Sequence, residues 1–520
     1  MSKREKFIEE INDGHRFEED SIILGAAMYK GECQTESFVR IPLGTLNRHG
    51  LIAGATGTGK TKTLQILAEQ LSGKGVPSII MDIKGDLSGI AVKSDGHPKI
   101  DERHEKIGYP FIPDNSPVEF LTLSEEKGAR LRGTVTEFGP ILFSKILGLN
   151  DTQSGIIAVL FKYCDDNELP LLDLKDIKKV LQYVMDEGKE SIEEEYGKIS
   201  SSSIGTIMRK IVELEQQGAD IFFGERSFDV DDLTRVDQDG KGVVSILRVT
   251  DIQDKPKLFS TFMLQLLAEI YSTFPEEGDL DRPKLCIFID EAHLVFDKAS
   301  DALIDQLEII IKLIRSKGIG IFFITQNPVD IPDAVLGQLG LKIQHALRAF
   351  TAKDRKAIKL AAQNFPITEH YDVEDLLTRM GIGEAMVTGL NTKGIPTPLV
   401  HTYLRAPQSR MDILKDKEID ALLLKSSIIN KYDELIDRES AYEILSAKIE
   451  DAHQDEVQEK HKQSRRSTKK EESTLEKMSK NTAVRQIGRT VARELTRGLL
   501  GVLGVKSTTR RRRRRKSSWF

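Results

Sequence analysis

Gly54-Ala55-Thr56-Gly57-Thr58-Gly59-Lys60-Thr61 is the stretch that decides the fold. It fits G-x-x-x-x-G-K-[ST] at every fixed position. Glycines let the backbone curl so that successive N–H groups point inward, and a helix starting at the loop's end presents its positive pole. Together they seat a dense negative charge such as the triphosphate of ATP. In that seat Lys60 reaches the β- and γ-phosphates and the Thr61 hydroxyl ligates Mg²⁺. The flanks agree. The apolar run His49-Gly50-Leu51-Ile52-Ala53 leads into the loop, and an amphipathic segment, Thr61–Ser72, leaves it and stops at Gly73.

Working outward, strand and helix signals alternate. Short apolar runs fall at Ser78–Asp82, Val118–Leu123, Val243–Arg248, Leu285–Asp290, Ile319–Thr325 and Lys342–Arg348. Such runs between helices read as buried, mostly parallel strands, so the expected class is an α/β fold with helices on both sheet faces. Strand signals vanish between Pro140 and Leu233, where helical periodicity in Gln153–Asn167, Leu174–Met185 and Ser203–Gln217 predicts an α-helical insertion. The expected organisation is a short N-terminal β/leader region at 1–45, core at 46–139, insertion at 140–233 and core again at 234–408. A charged helical linker at 409–480 and a basic tail at 481–520 complete it. Within the second core part, Ala302–Lys317, Ala352–Asn364 and Val373–Met380 read as helices, and Gly383–Gly389 with Pro398–Leu404 as a hairpin.

A phosphate loop needs acids for the metal and the attacking water. Lys284-Leu285-Cys286-Ile287-Phe288-Ile289-Asp290-Glu291 is an apolar strand ending in two. Strand ends of open α/β sheets face the ligand crevice. Asp290 is placed to hold Mg²⁺, and Glu291 to orient or deprotonate the water. The next strand ends in Thr325-Gln326-Asn327-Pro328, which offers Gln326, and after it Asn327, as a γ-phosphate sensor or water-positioning amide. The strand from Lys342 ends in Arg348, with Arg355 following. An arginine near a subunit boundary can neutralise charge on a neighbour's γ-phosphate, so Arg348 is the first candidate and Arg355 the second. Asp82, in Asp82-Ile83-Lys84-Gly85-Asp86, is either a partner behind the metal and water or plain turn chemistry. His293 and His345 read as hydrogen-bonded structural histidines, and the Met and Phe residues of Phe259–Ile270 as core.

The chain's 520 residues carry a net charge of −6, with 39% apolar and 30% charged residues, as a soluble globular protein would. The charge is uneven. Residues 461–520 hold 19 Lys+Arg and 4 Asp+Glu, a balance of +15, which leaves −21 for the rest. No apolar run approaches the ~18 residues of a membrane span. The first twenty residues have no signal-peptide pattern. The three scattered cysteines suit no disulfide framework or metal site, so a reducing cytoplasm is the expected compartment.

Several motifs in order resemble one family. They are Asn47–Ile52 running into the phosphate loop, Asp82-Ile83-Lys84-Gly85-Asp86-Leu87, Asp290-Glu291-Ala292-His293, Thr325-Gln326-Asn327-Pro328, and Val335–Gly340 into Gln344–Arg348. Together, over roughly residues 40–405, they look like the HerA-like ATPases of the HerA/FtsK superfamily. The resemblance implies a RecA-like ATPase core, ATP and Mg²⁺ as cofactors, a hexameric ring that translocates or unwinds DNA, and Arg348 acting on the neighbouring subunit's site. Only about 45 residues precede the core, too few for the N-terminal β-barrel of HerA proper, so a nuclease partnership is not carried over. The letters Asp290–His293 also spell a DEAH box, and Gln486–Arg493 mimics that group's last arginine motif. Residues 349–480 lack the strand–helix alternation of a second nucleotide-binding lobe, which sets this reading aside. The leading expectation is an ATP-driven DNA motor. The alternatives are an ATPase that moves protein and a nucleotide-gated assembly protein with little turnover. The tail, Ala483–Val505 followed by Arg510–Lys516, could contact nucleic acid, an acidic membrane surface or an acidic protein, could dock on its own ring, or could be a solvated solubility tail.

Overall fold

The apolar runs pair into one sheet whose strands are β1 (Ser21–Tyr29), β2 (Glu32–Pro42), β3 (Gly50–Ala53), β4 (Ser78–Asp82), β5 (Val118–Thr122), β6 (Ala129–Arg130), β7 (Val244–Arg248), β8 (Leu285–Ile289), β9 (Ile319–Thr325), β10 (Leu341–Gln344), β11 (Glu384–Thr388) and β12 (Val400–Leu404). This computed structural model describes residues 2–451, apart from residues 279, 297–300, 435 and 437. Among these residues the strand order is β2-β1-β12-β11-β10-β3-β9-β8-β4-β7-β5-β6. From β10 to β6 every pairing is parallel, and from β10 back to β2 every pairing is antiparallel. The expected α/β class with a mostly parallel sheet is the observed one.

Alternate residues of the central strands feed two cores. Leu285, Ile287 and Ile289 of β8 face one side with Ile319, Ile321 and Phe323 of β9. Cys286 and Phe288 face the other with Phe322 and Ile324, and the Phe288 and Phe322 rings stack at 4.8 Å. Burial on both faces explains why these strands read as continuous apolar runs. Helix α1 (Lys3–Gly14) and helix α2 (Lys60–Gly73) cover the second face, with Phe7, Ile11, Leu64, Leu67 and Leu71 buried. Helix α3 (Pro98–Ile107) follows β4. The helical segment between β6 and β7 is α4 (Val135–Leu147), α5 (Asp151–Asp166), α6 (Leu174–Met185), α7 (Lys189–Tyr196), α8 (Ser201–Glu215) and α9 (Ala219–Phe222). Together with α10 (Pro256–Thr273) and helix Asp301–Ile314, it supplies the first face's core.

Some elements differ from expectation. The N-terminal leader is a capped helix. The Ser2 side chain accepts the Glu5 N–H while Glu5 reaches back to the Ser2 N–H, and Phe7 and Ile11 are fully buried. The short β pieces behind it are long strands, paired from Ser21↔Pro42 to Tyr29↔Glu32. The strand expected to end at Arg348 ends at Gln344, because from Leu347 the backbone turns to the helix Val373–Arg379, with the Leu347 N–H donating to Leu377 O at 2.8 Å. Residues 405–415 form an irregular strap, followed by two short helices, Asp416–Leu423 and Ile429–Asp433. The linker beyond residue 451 and the basic tail lie outside the described residues. No described helix is long and apolar enough to cross a membrane.

Candidate active site

The strand order assembles the site. β3 carries the phosphate loop and pairs with β9, which pairs with β8, which pairs with β4. The C-terminal ends of four neighbouring parallel strands therefore deliver, in order, Gly54–Thr61, Gln326, Asp290–Glu291 and the Asp82–Leu87 loop to one edge.

The loop is seated by its neighbours. Gly54 N–H donates to Thr325 O at 3.2 Å, Ala55 N–H to Ala346 O at 2.8 Å, and Gly383 N–H to Thr58 O at 3.0 Å. Gly54, Gly57 and Gly59 have φ of +153°, +78° and +115°. A Cβ on Gly54 would lie 2.5 Å from His345 Cβ, so glycine is required there for space as well as conformation. Beneath the loop His345 is fully buried, with Nε2 2.9 Å from the Thr63 hydroxyl. Burial first, and then the charge of Lys60, hold its pKa down at about 4, so the ring is neutral. Lys60 is buried at the start of α2, and its ammonium donates to Gly54 O at 2.7 Å and Ala55 O at 3.3 Å. Burial and the Lys84 charge push its pKa down, while Glu291 and Asp290 pull it up. Thr61 is the second residue of α2.

Asp290 and Glu291 are adjacent in sequence, and in a regular strand they would point to opposite faces. Glu291 instead has φ +47°, a left-handed conformation that costs a non-glycine residue about 1–2 kcal/mol. The turn brings both carboxylates to one cation. Lys84 Nζ lies 2.5 Å from Glu291 Oε1 and 3.7 Å from Asp290 Oδ2. Asp290 Oδ1 also accepts the Glu291 N–H at 2.9 Å, and His293 Nδ1 is 3.3 Å from Glu291 Oε2. Burial pushes Asp290 up to about 6 against the pull of Lys84, and the charge of Glu291 adds to the rise. Burial raises Glu291 too, but the Lys84 hydrogen bond and charge outweigh it and leave this carboxyl below its usual range.

The other sequence-derived candidates are placed as follows. Gln326 is exposed at the end of β9, its Oε1 3.5 Å from the Thr56 hydroxyl, and so stands between loop and acids. Asn327, the second candidate amide, follows Gln326 directly. Its Oδ1 accepts the Val329 N–H at 3.4 Å and caps the turn Pro328–Asp330. Asp82 ends β4 with its side chain buried. Its carboxylate accepts the N–H groups of Gly85, Asp86 and Leu87 at 2.8, 3.2 and 3.2 Å. Arg348 is exposed two residues past Ala346, and its guanidinium donates to Thr378 O at 3.2 Å. Arg355 is exposed on the helix Ala352–Gln363. Among the described contacts neither arginine bonds to its own chain's phosphate loop.

Sequence reasoning passed over Lys84 and Arg103. Lys84 stood inside a quoted motif, but only the β4–β8 pairing, Met81↔Ile289, shows that it reaches the acids. Arg103 of α3 donates to the carbonyls of Ile382, Gly383 and Leu404 and lies 4.1 Å over the Tyr403 ring. It thereby braces the open end of the β11–β12 hairpin, where Gly383 touches Thr58.

The donor set fits a hard divalent cation. Asp290 Oδ2 and Glu291 Oε2 are buried carboxylate oxygens without a hydrogen-bond partner, and a hydroxyl with carboxylate oxygens is what Mg²⁺ prefers.

Comparisons with known proteins bear on the family and the fold. The family model described as helicase HerA-like C-terminal matches residues 28–509. The DNA double-strand break repair helicase HerA of Sulfolobus acidocaldarius is 22% identical over 366 residues, 69% of this chain and 66% of that protein. That of Sulfurisphaera tokodaii is 24% identical over 366 residues, 68% of this chain and 64% of that protein. The chain thus spans just under two thirds of these relatives' length. Among solved structures, the bacterial conjugative coupling protein TrwB in complex with sulphate superposes with a TM-score of 0.51 at 15% identity, covering 78% of this chain and 94% of that one. TrwB in complex with a non-hydrolysable ATP analogue gives 0.50 at 14% identity over 78% and 95%. The likeness is one of fold, that of RecA-like P-loop ATPases. With a glycine loop over Lys60, an acid pair two strands away and a family model spanning nearly the whole sequence, the chain belongs to the helicase HerA-like C-terminal family.

Proposed function

We propose that this protein is an ATP-hydrolysing motor that assembles into a ring, expected to be a hexamer, and acts on DNA. The observation that carries the ATPase reading is the strand order β3-β9-β8. It sets one strand, ending in Gln326, between the phosphate loop and the Asp290–Glu291 pair. A γ-phosphate seated on the loop then faces the acids across a polar amide.

In this reading the loop N–H groups and the α2 N-terminus bind the β- and γ-phosphates, and Lys60 exchanges its bonds with Gly54 O and Ala55 O for phosphate oxygens. Thr61 and Asp290 are the metal's protein ligands. Mg²⁺ when bound neutralises charge shared by the β- and γ-oxygens. Glu291, ionised under Lys84, orients the attacking water and accepts its proton. Gln326 orients the same water or reports the γ-phosphate. Arg348, two residues from the Ala346 carbonyl that holds the loop, is exposed where an adjoining subunit's site could receive it, with Arg355 as the second candidate. The DNA reading is supported by the helicases among the family's relatives.

The test is ATP turnover and oligomer size, with and without single- and double-stranded DNA. Wild type should hydrolyse ATP faster with DNA, and Lys60→Ala and Glu291→Gln should each lose at least about 100-fold in turnover. Hydrolysis indifferent to every DNA, with capture of a protein substrate, would replace DNA by protein as the cargo. Equal turnover by wild type and Glu291→Gln would remove the ATPase reading. A monomer in ATP would remove the trans role of Arg348.

A further inference from the structure

Lys84 has no role in the reading above beyond keeping Glu291 ionised, yet its surroundings are built. Its backbone is fixed on three sides. Asp82 takes three successive N–H groups of the following residues, Gly85 adopts φ +74° against Thr250, and Gln253 Nε2 donates to Ile83 O at 2.7 Å. The side chain reaches the site from β4, one strand beyond the acids. There it meets two carboxylates whose side chains are 1% and 8% exposed. Two adjacent buried anions are costly unless a cation answers them. Among the described residues Lys84 is the cation in contact with both. Lys60 acts on them at longer range, and His293 touches Glu291 alone.

We propose that Lys84 is a positioning residue of the hydrolytic site. It neutralises the Asp290–Glu291 pair, competes with the divalent cation for Asp290, and pins Glu291 by Oε1 so that Oε2 is left for the water. The inference rests on reading this site as the ATPase centre. Were a divalent cation held by Asp290, Lys84 would have to share that carboxylate with it, and its 2.5 Å contact to Glu291 would be the one it keeps. Divalent-ion binding is thereby coupled to the direction of the base.

The experiment uses the full chain and two readouts that need no turnover. They are melting temperature in EDTA, and binding of Mn²⁺ in the presence of ADP followed by electron paramagnetic resonance. Lys84→Gln should melt several degrees lower in EDTA and bind Mn²⁺ roughly 10-fold more tightly. Lys84→Arg should stay near wild type in both. The double variant Lys84→Gln/Glu291→Gln should recover most of the lost melting temperature, because the surplus anion is gone. Unchanged or weaker Mn²⁺ binding by Lys84→Gln overturns the proposal. So does Lys84→Arg behaving like Lys84→Gln, or a double variant with no recovery. If Lys84→Gln is too unstable to assay, the double variant against Glu291→Gln gives the same comparison around Asp290 alone. Should the wild type hydrolyse no ATP while these shifts appear, the ATPase reading fails and the role of Lys84 stands. ATP hydrolysis without the shifts sinks Lys84 alone.

Discussion

Two residues show how tightly the nucleotide edge is drawn. At Gly54 the obstacle to a side chain is His345, whose Cβ would lie 2.5 Å from the new atom and which is fully buried. Gly54→Ala should therefore displace the loop from the Ala346 carbonyl, and fluorescent ADP titration should show nucleotide affinity falling at least about 10-fold. Glu69, farther along α2, tells of pH. Its buried carboxylate accepts Gln408 N–H at 2.7 Å, Ser409 N–H at 3.2 Å and the Ser409 hydroxyl at 2.9 Å, tying α2 to the strap 405–415. Burial pushes this carboxyl up to about 7 against those hydrogen bonds and Arg405. An acid that ionises near 4.5 unfolded and near 7 folded contributes stability that is fully present below the lower value. That contribution is lost as pH rises through the higher one, on the order of 3 kcal/mol in all. Denaturant melts from pH 4.5 to 8 should show Glu69→Gln losing less stability with rising pH than wild type does. Parallel pH profiles for the two would refute it.

The hairpin β11–β12 and helix α3 act together, at the scale of elements. Arg103 joins them through three carbonyls and the Tyr403 ring, and the hairpin's Gly383 N–H holds Thr58 O. Arg103→Ala should cost about 2–3 kcal/mol of stability and raise the KM for ATP severalfold with a smaller effect on kcat, as chemical denaturation and steady-state kinetics would report. On the strands next to that hairpin, removing residues 2–14 exposes the pockets of Phe7 and Ile11, and the melting temperature should drop by several degrees. These elements also mark where the sequence could be read. The central strands were legible because burial on both faces makes them uniformly apolar, and the helices between β6 and β7 because amphipathic ones such as α6 keep their period. Helix α1 was not, since Phe7, Ile8 and Ile11 are its few apolar residues among charged ones. The loop and acid pair were legible as local strings. The Lys84 contact was not, because it depends on β4 lying beside β8, a pairing of residues about 200 apart in sequence.

Across the whole molecule, the first two strands of the sheet lie beside its last. β12 inserts between β1 and β11, so the N-terminal hairpin is continuous with the last strand of the core. Strand β3 has β9 on one side and β10 on the other, and no hydrogen-bonded neighbour from the first half of the chain. A chain truncated at residue 318 keeps the whole phosphate loop in sequence but should bind no ADP measurably by calorimetry, whereas one truncated at residue 451 should bind it as the full chain does. Binding by the shorter fragment would show that the loop seats without its flanking strands.

The same arrangement bears on how the protein is made. Gly50 pairs with Phe322, about 270 residues later, and synthesis at 5–20 residues per second separates them by roughly 15–50 s. For that time an apolar strand emerges with both edges bare, and its glycine-rich continuation has no wall to lean on. Nascent chains of this protein are thus open to mispairing through most of their synthesis, and the ribosome must deliver β10 before the nucleotide can help hold the fold together.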